Sequence, residues 1–283
     1  MDALPRDGVR FRVPNQNILS RDGRIREAEF SITAACTLRC EHCGFYVPEQ
    51  PNPHDGDAGG ALGHMLSQLE RIGVRIDSLA LLGGEATLAP RELNHAIAAA
   101  RSSPTVGRLE LVTNGLTPQG LPPETARRVD RISLSDYTHD SALADAWQSW
   151  MRRFAPSVEL VVRRHDTWAN NLDDVDLGEA GASSVWSTCW YRRHCVTLER
   201  ERIFACSRVA KRGRDTEGLR LADIRDRAEL AAYLNGSEPL ASCRTCSLVA
   251  GLPPVSPGRQ PDGRLAVLRE RTLGWFARVE GGE

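Results

Sequence analysis

Cys36-Thr37-Leu38-Arg39-Cys40-Glu41-His42-Cys43 is the stretch on which the reading of this chain turns. Its three cysteines have C-x3-C-x2-C spacing and follow directly on Phe30, Ile32 and Ala34, whose alternation predicts a β-strand running into them. Three thiolates crowded on a loop at a strand end are metal ligands by type and spacing. They can hold three irons of a cubane and leave the fourth open, or join His42 around one zinc ion. The chain has eight cysteines. In a reducing compartment such groups point to metal binding or catalysis rather than to disulfides.

Outward from this loop, strand and helix patterns alternate. Leu62, Leu66, Leu69 and Ile72 recur at helical spacing, and 78–82 is a short apolar strand ended by Gly83-Gly84. Pro90 opens a helix carrying Leu93, Ile97 and Ala100. Strands follow at 109–113, closed by Asn114-Gly115, at 132–135 and at 158–162, with a helix stripe of Leu143, Trp147, Trp150, Met151 and Phe154 between the last two. The pattern predicts a parallel sheet with crossover helices, with five strands and a sixth within 180–187. After about residue 186 the texture changes to a hairpin (195–198 and 203–206), a helix over 221–234 stopped by Asn235-Gly236, a tight turn at 242–246, a Pro/Gly loop over 253–263 and a terminal helix over 265–279. The expected division is an extension over 1–27, a main domain over 28–185 and a smaller one over 186–283.

Composition narrows the function classes. At 283 residues and 41% apolar, the chain can bury a full core, and its net charge of −1 gives no field for nucleic acid or anionic membrane. The first ten residues lack the apolar stretch of a signal peptide, and no run of about 18 apolar residues occurs. A cytoplasmic protein with no membrane or nucleic-acid partner is expected. Of the 36 basic residues only Lys211 is lysine.

Cys36, Cys40 and Cys43, Gly83-Gly84-Glu85 after the second strand and Thr113-Asn114-Gly115 after the third together resemble the radical S-adenosylmethionine (SAM) superfamily. The resemblance covers roughly 28–165 and implies a partial (β/α)6 barrel, α/β in class. It implies a [4Fe–4S] cluster on Cys36, Cys40 and Cys43, with SAM on the open iron. Gly83, Gly84 and Glu85 would meet the SAM ammonium, Asn114 the same cofactor, and Ser133 and Ser135 its ribose. His42 stands where the superfamily usually has another aromatic ring.

The remaining cysteines are Cys189, Cys195, Cys206, Cys243 and Cys246. Their spacing resembles the auxiliary-cluster module called SPASM or, in its short form, twitch, an α+β unit, although the hairpin turn before Cys206 lacks the usual glycine. Five thiols suffice for one auxiliary [4Fe–4S] cluster. Twitch relatives imply Cys189, Cys206, Cys243 and Cys246 as ligands, SPASM relatives Cys189, Cys195, Cys206 and one of the last pair. Cys-x2-Cys is equally a zinc turn. The thiol left over, taken as Cys195, is either a small buried residue or a hydrogen-atom donor facing the barrel. Arg192, Arg193, His194, Arg200, Arg202, Arg208, Lys211, Arg212 and Arg214 crowd the same hairpin, as a solvated face or as a grip on a phosphate or carboxylate.

By resemblance, the reaction begins with hydrogen abstraction from an unactivated carbon by a 5′-deoxyadenosyl radical. An external electron donor such as flavodoxin or ferredoxin is then implied. Short twitch enzymes include epimerases and dehydrogenases of sugars and aminocyclitols, and some 27 residues before the first strand are few for a peptide-binding domain. A small hydroxylated substrate, phosphorylated or nucleotide-linked, is therefore expected. Radical modification of a ribosomal peptide, and an iron–sulfur electron-transfer or scaffold partner without SAM cleavage, are the alternatives.

Overall fold

The structure is a computed structural model that describes residues 18–47, 50–138, 140–170, 175–247 and 252–281. Most of the expected N-terminal extension, residues 1–17, lies outside them. In chain order come β1 (Arg24–Ser31), α1 (Ala58–Arg71), β2 (Arg75–Leu82), α2 (Pro90–Ser102), β3 (Val106–Thr113), α3 (Pro123–Ala126), β4 (Arg131–Ser135), α4 (Ala142–Phe154) and β5 (Glu159–Arg163). The five strands pair in sequence, all parallel. Alternation explains why. Leu79, Leu81, Leu109, Leu111, Ile132 and Leu134 are buried in one core with Leu62, Met65, Leu93, Ile97 and Trp147 of the helices. The other parity carries polar groups instead: Glu29, Ser31, Glu110 and Ser133 are buried on the opposite face.

Two expectations need correction here. The stretch 180–187 is not a sixth strand but part of α5 (Gly178–Thr188), because Ala182, Val185 and Trp186 are buried at helical spacing. β1 begins at Arg24, inside the expected N-terminal extension, since Ile25 and Ala28 face the core while Arg26 and Glu27 stay exposed.

After α5 come α6 (Trp190–His194), β6 (Val196–Glu199), β7 (Arg202–Phe204), α7 (Ser207–Lys211), β8 (Leu219–Arg220), α8 (Arg227–Asn235) and α9 (Arg264–Gly281). β6 lies parallel to β1, matching Ala28 to Val196 and Phe30 to Leu198, and β7 and β8 follow antiparallel. One eight-stranded sheet results, in the order β5-β4-β3-β2-β1-β6-β7-β8. The fold is thus mixed α/β, consistent with a partial barrel extended by an α+β portion. The hairpin turn between β6 and β7 places Arg200 and Glu201 at φ 50° and 58°, both left-handed. The helix expected from 221 starts only at Arg227, where Asp226 accepts the Glu229 N–H at 2.9 Å as its N-cap. Among the described residues no helix is long and apolar enough to cross a membrane.

Candidate functional site

The Cys36–Cys43 loop leaves the C-terminal end of β1, and the ends of β2 and β3 converge on it. Gly84 and Glu85 donate their backbone N–H groups to the carbonyls of Thr33 and Ala35, at 2.8 and 2.7 Å. A Cβ at Gly83 (φ 153°) would sit 2.4 Å from the Thr33 oxygen, and one at Gly84 would sit 2.3 Å from that of Ala35. Glycine is therefore required there by the protein's own backbone. From the end of β3, the Asn114 amide donates to Thr37 Oγ1 at 3.2 Å and reaches Cys36 Sγ at 3.9 Å. All three loop cysteines are free and half-buried. Burial pushes the Cys36 thiol up to about 12, with the charge of Glu85 adding to it and the Leu38 N–H opposing. Burial likewise raises Cys40 to about 11, against a hydrogen bond from Gln260. His42 is half-buried, and among the described residues its Nδ1 has no hydrogen-bond partner.

Glu85, Ser133 and Ser135 each bond within the protein. Glu85 turns inward rather than towards an open site: it is buried, and its carboxylate accepts from Thr87 N, Thr87 Oγ1, Thr113 Oγ1 and Asn114 N at 2.7–3.1 Å. Burial raises its pKa, with those donors pulling the other way. It is a brace tying the ends of β2 and β3 together. Ser133 is fully buried and donates to Glu110 at 2.5 Å. Ser135 shares a hydrogen bond with Tyr137, a half-buried residue whose phenol pKa is raised first by burial and then by the charges of Cys40, Cys43 and Cys36. Sequence reading missed Tyr137 and Gln260, and neither carries a local motif.

The second group forms at helix ends. Cys189 joins α5 to α6, Cys206 is the N-cap residue of α7, and Cys243 lies within, and Cys246 closes, a short 3-10 turn whose Ser242 is held by Glu217. These four thiols line one cavity of about 30 Å³, together with Val185 and Trp186. Burial raises Cys206 and Cys243 to about 12 each. Cys195 is not among them. By strand parity it shares the polar sheet face with Thr197 and Glu29. Burial, then the charges of Glu29 and Glu27, push its thiol well above the ordinary range.

The basic residues around the hairpin do not form a solvated face throughout. Arg192 stacks on Trp186 at 3.8 Å and donates to the Gly236 carbonyl, Arg200 bonds Glu199 and Asp215, and buried Lys211 pairs with Glu199 and Ser31. Among the described residues no three His, Cys, Asp or Glu side chains converge as around one metal ion. A cubane takes its thiolates at separate corners and needs no such convergence.

No protein-family model and no curated protein sequence matches the chain. Among solved structures it is similar to a polyhistidine-tagged anSMEcpe with bound AdoMet, at 11% identity and a TM-score of 0.46 over 90% of this chain and 97% of that one. For native anSMEcpe with bound AdoMet the values are 15%, 0.38, 50% and 44%, so the chain spans less than half of that structure's length. For BtrN in complex with AdoMet and 2-DOIA they are 10%, 0.43, 74% and 81%. These are radical SAM enzymes. At these identities and TM-scores the likeness carries no argument about this chain's activity.

Proposed function

We propose that this chain is a radical SAM enzyme acting on a small hydroxylated molecule. The observation that carries the reading is the convergence of three strand ends on one cysteine loop, with Gly83-Gly84 packed on Thr33–Ala35 and Asn114 bonded to Thr37. Cys36, Cys40 and Cys43 would hold the cluster. Their thiols are half-buried, and amide donors already point at two of the sulfurs. When bound, the reduced cluster and SAM supply a 5′-deoxyadenosyl radical that abstracts hydrogen from an unactivated carbon. His42, Gly83, Gly84 and Asn114 line the SAM side. Glu85 supports them from behind, and Ser133 and Ser135 shape the polar face. Cys189, Cys206, Cys243 and Cys246 hold one auxiliary [4Fe–4S] cluster, and flavodoxin or ferredoxin delivers electrons.

Within that reading we take the reaction to be an epimerisation, with Cys195 returning a hydrogen atom to the substrate carbon. Its separation from the other four thiols and its position on the polar sheet face support this. Anaerobic reconstitution, reduction and incubation with SAM test the core of it: 5′-deoxyadenosine should accumulate. Iron-loaded protein that releases none would refute the enzyme reading and leave an electron-transfer role. With a substrate in hand, turnover in D2O should place one deuterium at the inverted carbon. A product two hydrogens lighter would instead mark a dehydrogenase.

A further inference from the structure

The Pro/Gly-rich segment before α9 folds back over the Cys36–Cys43 loop. Val255 and Trp168 exchange backbone hydrogen bonds at 2.8 and 2.9 Å, and Glu41 N donates to the Arg259 carbonyl at 3.0 Å while its carboxylate pairs with Arg259. Gly258 (φ 63°) rests on Tyr137, where a Cβ would meet the tyrosine Cβ at 2.6 Å. This lets Gln260 reach a cysteine 220 residues away in sequence. Its Nε2 donates to Cys40 Sγ at 3.1 Å and to the Gly258 carbonyl at 2.7 Å, and its Oε1 accepts the Arg39 N–H at 2.7 Å.

These partners fix which way the carboxamide faces. A flipped amide would set an N–H against the Arg39 N–H and an oxygen against both the sulfur and the Gly258 carbonyl. The nitrogen therefore faces Cys40. An N–H donated to a cluster thiolate stabilises the more negative, reduced state more than the oxidised one, so it raises the reduction potential.

We propose that Gln260 is a tuning and positioning residue for the cluster held by Cys40, raising its midpoint potential through the N–H···S bond and fixing the ligand loop through Arg39. This rests on the radical SAM reading. The test is potentiometric EPR on the reconstituted full-length protein, wild type against Gln260→Met and Gln260→Glu, with added SAM identifying the open cluster's signal. Gln260→Glu, studied above neutral pH, keeps the acceptor for Arg39 but has no N–H to donate.

In both variants the midpoint of the SAM-binding cluster should move to more negative potential while the auxiliary cluster's stays put. Should Gln260→Met lose iron because the loop loosens, the proton coupling of Gln260→Glu decides, because that variant's added negative charge lowers the midpoint even without a lost N–H···S bond. A second readout is the exchangeable proton coupled to the reduced cluster in electron–nuclear double resonance, present in H2O, absent in D2O and absent in Gln260→Glu. An unmoved midpoint in Gln260→Glu at full iron content overturns this inference and leaves the enzyme reading standing. Wild type that binds no iron at Cys36, Cys40 and Cys43 overturns both.

Discussion

The two thiol groups are built from different parts. The first sits on a loop where three parallel strands end, and its sulfurs receive amide donors from Asn114 and Gln260. The second sits where short helices begin and end, around a cavity of about 30 Å³ walled by Val185 and Trp186. On the proposed reading, three thiolates leave one iron of a cubane to an exchangeable ligand, whereas four do not. Reaction then belongs to the first group and electron storage to the second. The five-residue helix α7 touches both regions. Cys206 is its N-cap residue, and at its other end Lys211 lies 5.1 Å from the Phe45 ring and Arg212 donates to the Tyr46 hydroxyl at 2.6 Å, just beyond Cys43.

The strongest break in this comparison is to remove one group at a time. Wild type should bind roughly eight irons, and either thiol-deleted variant about half of that. Cys36→Ala/Cys40→Ala/Cys43→Ala should lose all SAM cleavage. Removing Cys189, Cys206, Cys243 and Cys246 should leave the first cluster's EPR signal, with its response to SAM, in place. Four irons plus one zinc in wild type would dissolve the distinction by making the second group a zinc site.

Next in size is Glu85→Ala. The carboxylate accepts four hydrogen bonds in a buried place, and its loss strands the Thr87 and Asn114 backbone N–H groups. Destabilisation of about 4–5 kcal/mol is expected by denaturant titration, and Glu85→Gln should recover part of it. A loss below about 1 kcal/mol would show that Glu85 does not brace the strand ends.

How far the sequence could be read follows the same divide. Strand alternation, the cysteine loop and the Gly-Gly pair are local signals, so the five parallel strands and the place of the cysteine loop at a strand end were legible. The inward turn of Glu85 was not, because the same carboxylate at a strand end serves a ligand or a brace equally well. The pairing of β6 with β1 joins residues some 168 apart, as Thr197 to Glu29 does, and leaves no periodicity to read. Gln260 sits in a loop whose composition announces only a turn. The expected strand over 180–187 failed because a short apolar run fits either period, and Ala182, Val185 and Trp186 settle on the helical one.

Lys211, the chain's one lysine, sharpens the comparison from the side of α7. Burial alone would raise Glu199, but Lys211 beside it brings the pKa net below the ordinary range. A depressed carboxylate contributes stability above its unfolded pKa and loses it as pH falls through the folded one. Wild type should therefore lose stability on the acid side below about pH 4.5. Lys211→Met should cost about 3 kcal/mol at neutral pH, the lower end for a broken buried pair because Arg200 also holds Glu199. That variant should also flatten the acid limb. An unchanged pH profile would mean the pair contributes nothing to linkage.

The smallest effect concerns the turn that brings Cys206 to the second group. Arg200 and Glu201 both hold left-handed backbone, the geometry of a two-residue hairpin turn that favours glycine, above all at its second position. Arg200 offsets that strain through bonds to Glu199, Asp215 and the Ala210 carbonyl. Glu201 has a single ion pair to Arg220 at 3.4 Å with both partners exposed, which contributes little. Relief of left-handed strain should outweigh the extra chain entropy of glycine, so Glu201→Gly is expected to stabilise the protein by about 0.5–1 kcal/mol. Arg200→Gly should destabilise it, because three side-chain bonds go with the strain. The pair of variants separates backbone from side chain within one turn. Equal effects in thermal melts would mean that the turn's geometry, and not the Arg200 contacts, sets the hairpin that carries Cys206.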